Sequence, residues 1–85
     1  MENTSIQEKK DFIKRMKKRG DITTLCKKLG YSETVYWSGM GRTDDRYTVA
    51  EMKIILAMYK EMLEREELVE SFGLETEKYM NYVEP

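Results

Sequence analysis

With 85 residues, 40% of them apolar and 36% charged, the chain makes one domain with apolar surface enough for a small core. A domain this size buries roughly 60–65% of its unfolded surface, so its stability is modest and pairing with a second copy would help it. No run of about 18 apolar residues is present, so no membrane span is expected, and the opening MENTSIQEKK has no apolar stretch of the kind a secretory signal needs.

Histidine is absent and Cys26 is the single cysteine. Zinc ligation by nitrogen and sulfur within one chain is therefore excluded, and so are Ser/His and Cys/His nucleophilic pairs. A lone cysteine cannot form an internal disulfide, which fits a reducing, cytoplasmic setting. Gly39 and Gly41 lack the spacing of a phosphate-binding loop. Glu66, Glu67 and Glu70 read as a solvated acidic face rather than a catalytic pair. No enzyme activity, cofactor, metal or small-molecule substrate is expected.

The net charge of −1 hides a gradient. Residues 1–46 carry eleven Lys/Arg against seven Asp/Glu, for +4, and residues 47–85 carry four against nine, for −5. A basic front half points to an anionic partner, although two helices with oppositely charged solvent faces would give the same numbers.

In chain order, a basic helix comes first, in residues 1–20. Ser5 and Glu8 in SIQE form a capping box. Ile6, Phe12, Ile13 and Met16 make a thin apolar stripe, and Lys9, Lys10, Lys14, Arg15, Lys17, Lys18 and Arg19 fill the rest. The helix is expected to run to about Arg19, with late cations suiting the negative end of the helix dipole and Gly20 as the stop.

A bihelical unit follows, in residues 21–41. Asp21 is the expected N-cap of ITTLCKKL. Ile22, Leu25, Cys26 and Leu29 fall at i, i+3, i+4 and i+7 on one face, and Gly30 suits the left-handed end. Ser32 caps a third helix, ETVYWSGM, expected to fray at Gly39 and Gly41. The polar stretch GRTDDR leads on to the long helix of residues 48–72.

That helix has the clearest start. Thr48 and Glu51 form a second capping box, with Tyr47 and Met52 at the positions of a hydrophobic staple. Val49, Met52, Ile55, Leu56, Tyr59, Met62 and Leu63 make an apolar face wider than one partner helix needs. Leu68, Val69 and Phe72 continue it on a shifted face, and Gly73 is the stop. Phe72 and its neighbours are the expected contact of a homodimer. The tail, residues 73–85, is read as packing Leu74 back on Val69, with a short helix through Tyr79, Tyr82 and Val83. The expected fold class is all-α.

The stretch TLCKKLGYSETVYWSGM resembles the bihelical unit of repressor-type helix-turn-helix proteins. Cys26 is the small residue inside the first helix, Gly30 the turn and Ser32 the cap of the second. With GDITTLCKKLGYSETVY as a basic first segment, an Arg-containing loop and one long amphipathic helix, residues 20–63 resemble small helix-turn-helix proteins of phages and mobile elements. The resemblance implies sequence-specific binding of double-stranded DNA and a role in transcription regulation. The second helix of the unit would enter the major groove. By position Ser32, Glu33, Thr34, Tyr36 and Trp37 would reach the groove, and Lys27, Lys28, Arg42 and Arg46 would supply phosphate contacts. The pattern has its apolar anchor six residues after the turn glycine, whereas Val35 lies five after Gly30. Either the turn is one residue shorter or Tyr36 takes the anchor site.

A second reading belongs to another class. The chain would be a protein-binding module, an antagonist or adaptor, using the Tyr36/Trp37 patch or the acidic C-terminal half.

Overall fold

The computed structural model describes residues 5–73, and over that span the chain is all helix and loop. Its elements are α1 (Ile6–Met16), α2 (Asp21–Leu29), α3 (Glu33–Gly41) and α4 (Val49–Phe72). The expected packing of Leu74 on Val69 and the short helix through Tyr79, Tyr82 and Val83 lie outside the described residues. No helix among them is long and apolar enough to cross a membrane.

Both capping boxes form. The Ser5 hydroxyl accepts from the Glu8 amide at 3.1 Å while the Glu8 carboxylate accepts from the Ser5 amide at 2.9 Å. Thr48 and Glu51 repeat the exchange at 3.1 and 2.9 Å. Each pair satisfies two backbone donors that a helix start otherwise leaves open.

The first helix is shorter than its periodicity suggests. It ends at Met16, not Arg19, and Lys17 is extended. Tertiary partners take the groups that a further turn would have used. Arg65 of α4 donates to the Met16 carbonyl, and the Lys18 amide donates to the Asp21 carboxylate. Asp21 is correspondingly not the N-cap of α2. Gly20 holds that place at φ 91°, and Asp21 is the first helical residue. Its carboxylate is drawn instead to Arg65, at 2.7 and 2.9 Å.

The helix α4 packs against each of the other three, and α2 also packs on α3. The core gathers Ile13 and Met16 from α1, Leu25 and Cys26 from α2, and Tyr36 and Met40 from α3. They close on Ile54, Ile55, Met58 and Met62 of α4. This corrects the expected apolar face. Ile55 and Met62 are buried and Tyr59 and Leu63 are half-buried, but Val49, Met52 and Leu56 are exposed. Three short helices approach α4 from the side of Ile54, Ile55 and Met58, about half a turn from the Val49–Leu56 edge. The staple of Tyr47 with Met52 is lost for the same reason. Tyr47 packs on the core, with the Lys10 ammonium 4.8 Å from its ring centroid, while Met52 faces solvent.

The helix α3 does not fray at its glycines but runs through both. Gly39 is where it crosses α4. A Cβ added there would stand 2.9 Å from Ile55 Cδ1 and 3.2 Å from Glu51 Cβ, so the absence of a side chain sets how closely the two helices approach.

Candidate nucleic-acid interface

The corner between α2 and α3 is a tight one. Gly30 ends α2 at φ 79°, a left-handed conformation that a side chain strains. The Tyr31 amide reaches back to the Cys26 carbonyl at 2.9 Å and the Gly30 amide to Lys27 at 3.3 Å, which satisfies carbonyls at the end of α2. Ser32 stands at the N-cap of α3 in an extended conformation, though its hydroxyl makes no capping bond. The corner is pinned a second time across its open side, where the Thr23 hydroxyl donates to the Glu33 carboxylate at 2.7 Å.

The anchor of α3 is Tyr36. It is fully buried, whereas Val35 is half-buried at the edge of the core. Tyr36 therefore leaves the set of residues expected to reach a groove. Its hydroxyl is buried without a hydrogen-bond partner. Burial, with the nearby Cys26 and Asp21 adding to it, pushes the phenol up to about 12. Burial likewise pushes the Cys26 thiol up, with Glu33 adding to it. Cys26 is thus a small core residue rather than a reactive thiol.

With Tyr36, Gly39 and Met40 turned inward, the 100° step of a helix turns Thr34, Trp37, Ser38 and Gly41 outward. Trp37 is 54% exposed. Its ring meets that of Tyr36 edge-on, 5.0 Å between centroids and 80° between planes, so a buried neighbour holds an exposed indole in place. Thr34 and Trp37, three residues apart, are thus presented on one face, and Ser32 is exposed at the N-cap before them. Lys27 is exposed one turn after Thr23, on the side of α2 that meets the start of α3.

The remaining cations are dispersed. Lys28 lies with Thr24 beside Met58 and Glu61 of α4, away from the α3 face. Arg46 is exposed in the loop before α4, where its backbone amide bonds the Asp44 carboxylate at 3.0 Å. Arg42, expected to be a phosphate contact, has its guanidinium committed elsewhere. Nε and Nη2 each donate to Glu51, at 2.9 Å, and Nη1 lies 3.7 Å from Asp44. In α1, Lys10 is buried rather than solvated, donating to the Arg42 carbonyl at 2.9 Å. Lys9 and Arg15 lie over the rings of Tyr59 and Phe12, 5.3 and 5.0 Å from their centroids. Lys14 and Arg19 are exposed.

In the sequence Glu51 shows only as half of a capping box. It is the joint of three elements. Its carboxylate is 3% exposed as a residue and accepts from Arg42, from the Thr48 amide and, at 2.5 Å, from the Ser38 hydroxyl. Hydrogen bonds from Arg42 first, then Ser38 and Thr48, hold its pKa down to about 2. The signal was present in part, because Arg42 is nine residues before Glu51. No helical spacing relates residues on opposite sides of a loop, however, so the pair could not be read from periodicity.

Compared with models of protein families, with curated proteins and with solved structures, the chain matches none.

Proposed function

We propose that the chain is a small sequence-specific DNA-binding protein, a cytoplasmic transcriptional regulator of phage or mobile-element origin, with α3 as the helix that enters the major groove. The observation that carries this reading is the burial of Tyr36. An anchor six residues after Gly30 restores the spacing of the bihelical unit. It also leaves Thr34 and Trp37 on the outer face of α3, and Ser32 exposed at its N-cap, with no part in the core. The lysine nearest that face is Lys27. Affinity then comes from few phosphate contacts, with Lys27 the best placed, and the exposed Arg46 and the exposed cations of α1 behind it.

Trp37 is the single tryptophan, so its emission reports directly on contact at α3. Titration with duplex DNA should change that emission. The affinity should weaken with salt, by roughly 0.9 in the log–log slope for each phosphate contact. Lys27→Glu should lower the affinity and the slope at unchanged helicity, and Lys28→Glu should do so much less. Unchanged emission in the presence of any duplex would refute the reading. Suppose charge reversal at Lys27 leaves biological activity intact while Trp37→Ala destroys it. The outer face of α3 is then a protein-docking surface.

The same reading includes a homodimer. Leu68 and Phe72 lie one turn apart near the end of α4, 55% and 75% exposed, while Val69 between them is buried. Sedimentation should give a dimer for the wild type, and Phe72→Glu should give a monomer of unchanged helicity. A wild-type monomer at high micromolar concentration rejects this part alone.

A further inference from the structure

The chemistry of the α3 outer face limits what it can read, and this inference rests on the DNA-binding reading above. Base edges in the major groove are distinguished by a small set of partners. Guanine takes Arg or Lys, adenine takes Asn or Gln, cytosine takes a carboxylate, and thymine offers its 5-methyl group to apolar atoms. From Ser32 to Gly41 the chain has no Arg, Lys, Asn or Gln. The carboxylate present, Glu33, is engaged by the Thr23 hydroxyl. The Ser38 hydroxyl donates to Glu51. The uncommitted polar groups are the hydroxyls of Ser32 and Thr34, which suit several base edges alike and discriminate poorly. The discriminating surface is apolar, the exposed indole of Trp37 and the methyl of Thr34 one turn before it. Nothing stands within 4 Å of the position a Gly41 side chain would occupy, so the end of the helix is open to a close approach.

We infer that this face reads thymine 5-methyl groups, with Trp37 and Thr34 forming an apolar seat, and that the preferred duplex is one presenting neighbouring thymines in the major groove. Trp37 is the main specificity-determining residue, because its ring is already oriented by Tyr36 and loses little freedom on contact.

The test compares thymine with uracil, which differ by that methyl alone and leave charge and hydrogen-bonding groups unchanged. Selection is run in parallel from a randomised duplex pool made with thymidine and from one made with deoxyuridine. The thymidine pool should yield a site with thymines at the contacted positions, and the deoxyuridine pool should yield none. Within the selected site, each thymine-to-uracil change at a contact should weaken binding about fourfold, the worth of one buried methyl-sized group. Trp37→Ala, checked for unchanged helicity, should lose most of the difference between the thymine and uracil forms while keeping its salt-dependent nonspecific affinity, and adding Thr34→Ser should abolish the rest. The same site emerging from both pools, or a guanine-centred site, overturns the inference and leaves the DNA-binding reading standing. Failure to bind either pool at low salt overturns both.

Discussion

Gly39 and Gly41 lie two residues apart near the end of α3, and alanine should act on them in opposite directions. In a helix interior the change from glycine to alanine is worth about 1 kcal/mol in favour of the folded state. At Gly39 that gain meets a collision. The new Cβ would stand 2.9 Å from Ile55 Cδ1 and 3.2 Å from Glu51 Cβ. Ile55 is fully buried, so its methyl has nowhere to swing, and Glu51 is held by Arg42, Ser38 and Thr48. Overpacking of this kind costs about 1–3 kcal/mol, so Gly39→Ala should lose about 1 kcal/mol net. Gly41 has no neighbour within 4 Å of the added atom and its φ is negative. Being the last residue of α3, it should gain about 0.5 kcal/mol. For a domain of this size 1 kcal/mol moves Tm by roughly 4–8 °C. Thermal melts followed by circular dichroism, with urea unfolding as a check, should therefore show Gly39→Ala falling by about that much and Gly41→Ala rising by about half of it. Equal rises in both variants would refute the close crossing of α3 over α4.

The salt bridge of Arg65 with Asp21, whose side chains are 12% and 16% exposed, lies between a surface pair and a buried one. Arg65→Ala should cost about 2 kcal/mol by urea unfolding, and adding Asp21→Asn should recover part of that loss. Simple additivity of the two would argue against coupling. Tyr36→Phe removes a buried hydroxyl without a partner and should stabilise the domain by about 1 kcal/mol; a loss in the same melt would mean that the hydroxyl is satisfied. Burial pushes the Asp21 carboxyl up, but the Arg65 hydrogen bonds, the Lys18 amide and those residues' charges together hold it below its ordinary value. Glu51 is held down to about 2. Folded pKa values below the unfolded ones mean stability that is complete above about pH 5 and is lost as pH falls from there towards 2. Unfolding series across that window should show the fall, and Glu51→Gln should flatten part of it; a domain growing more stable on acidification would contradict both assignments.

Much of this architecture is local and was legible as such. Both capping boxes, the left-handed Gly30 and the long helix that closes at Gly73 follow from side chains speaking to backbone groups three or four residues away. An amphipathic pattern fixes that a helix buries a face, and the resemblance of residues 20–63 to a bihelical unit made the corner at Gly30 expected. The end of α1 was not legible, because the Met16 carbonyl and the Lys18 amide are claimed by Arg65 and Asp21, one of them 49 residues away. The choice between Val35 and Tyr36 was not legible either. Both are apolar, adjacent and large, and only the line of approach of α2 and α4 selects the one that fits. The same holds for the burial of Ile54 and Met58 in place of Val49 and Leu56, and for the commitment of Arg42 to Glu51. Helix periodicity states which residues share a face, but not which face meets a neighbour. That direction is settled by the packing of α1, α2 and α3 against α4, where burial of Ile55, Met58 and Met62 and the close crossing at Gly39 outweigh the propensities of single segments.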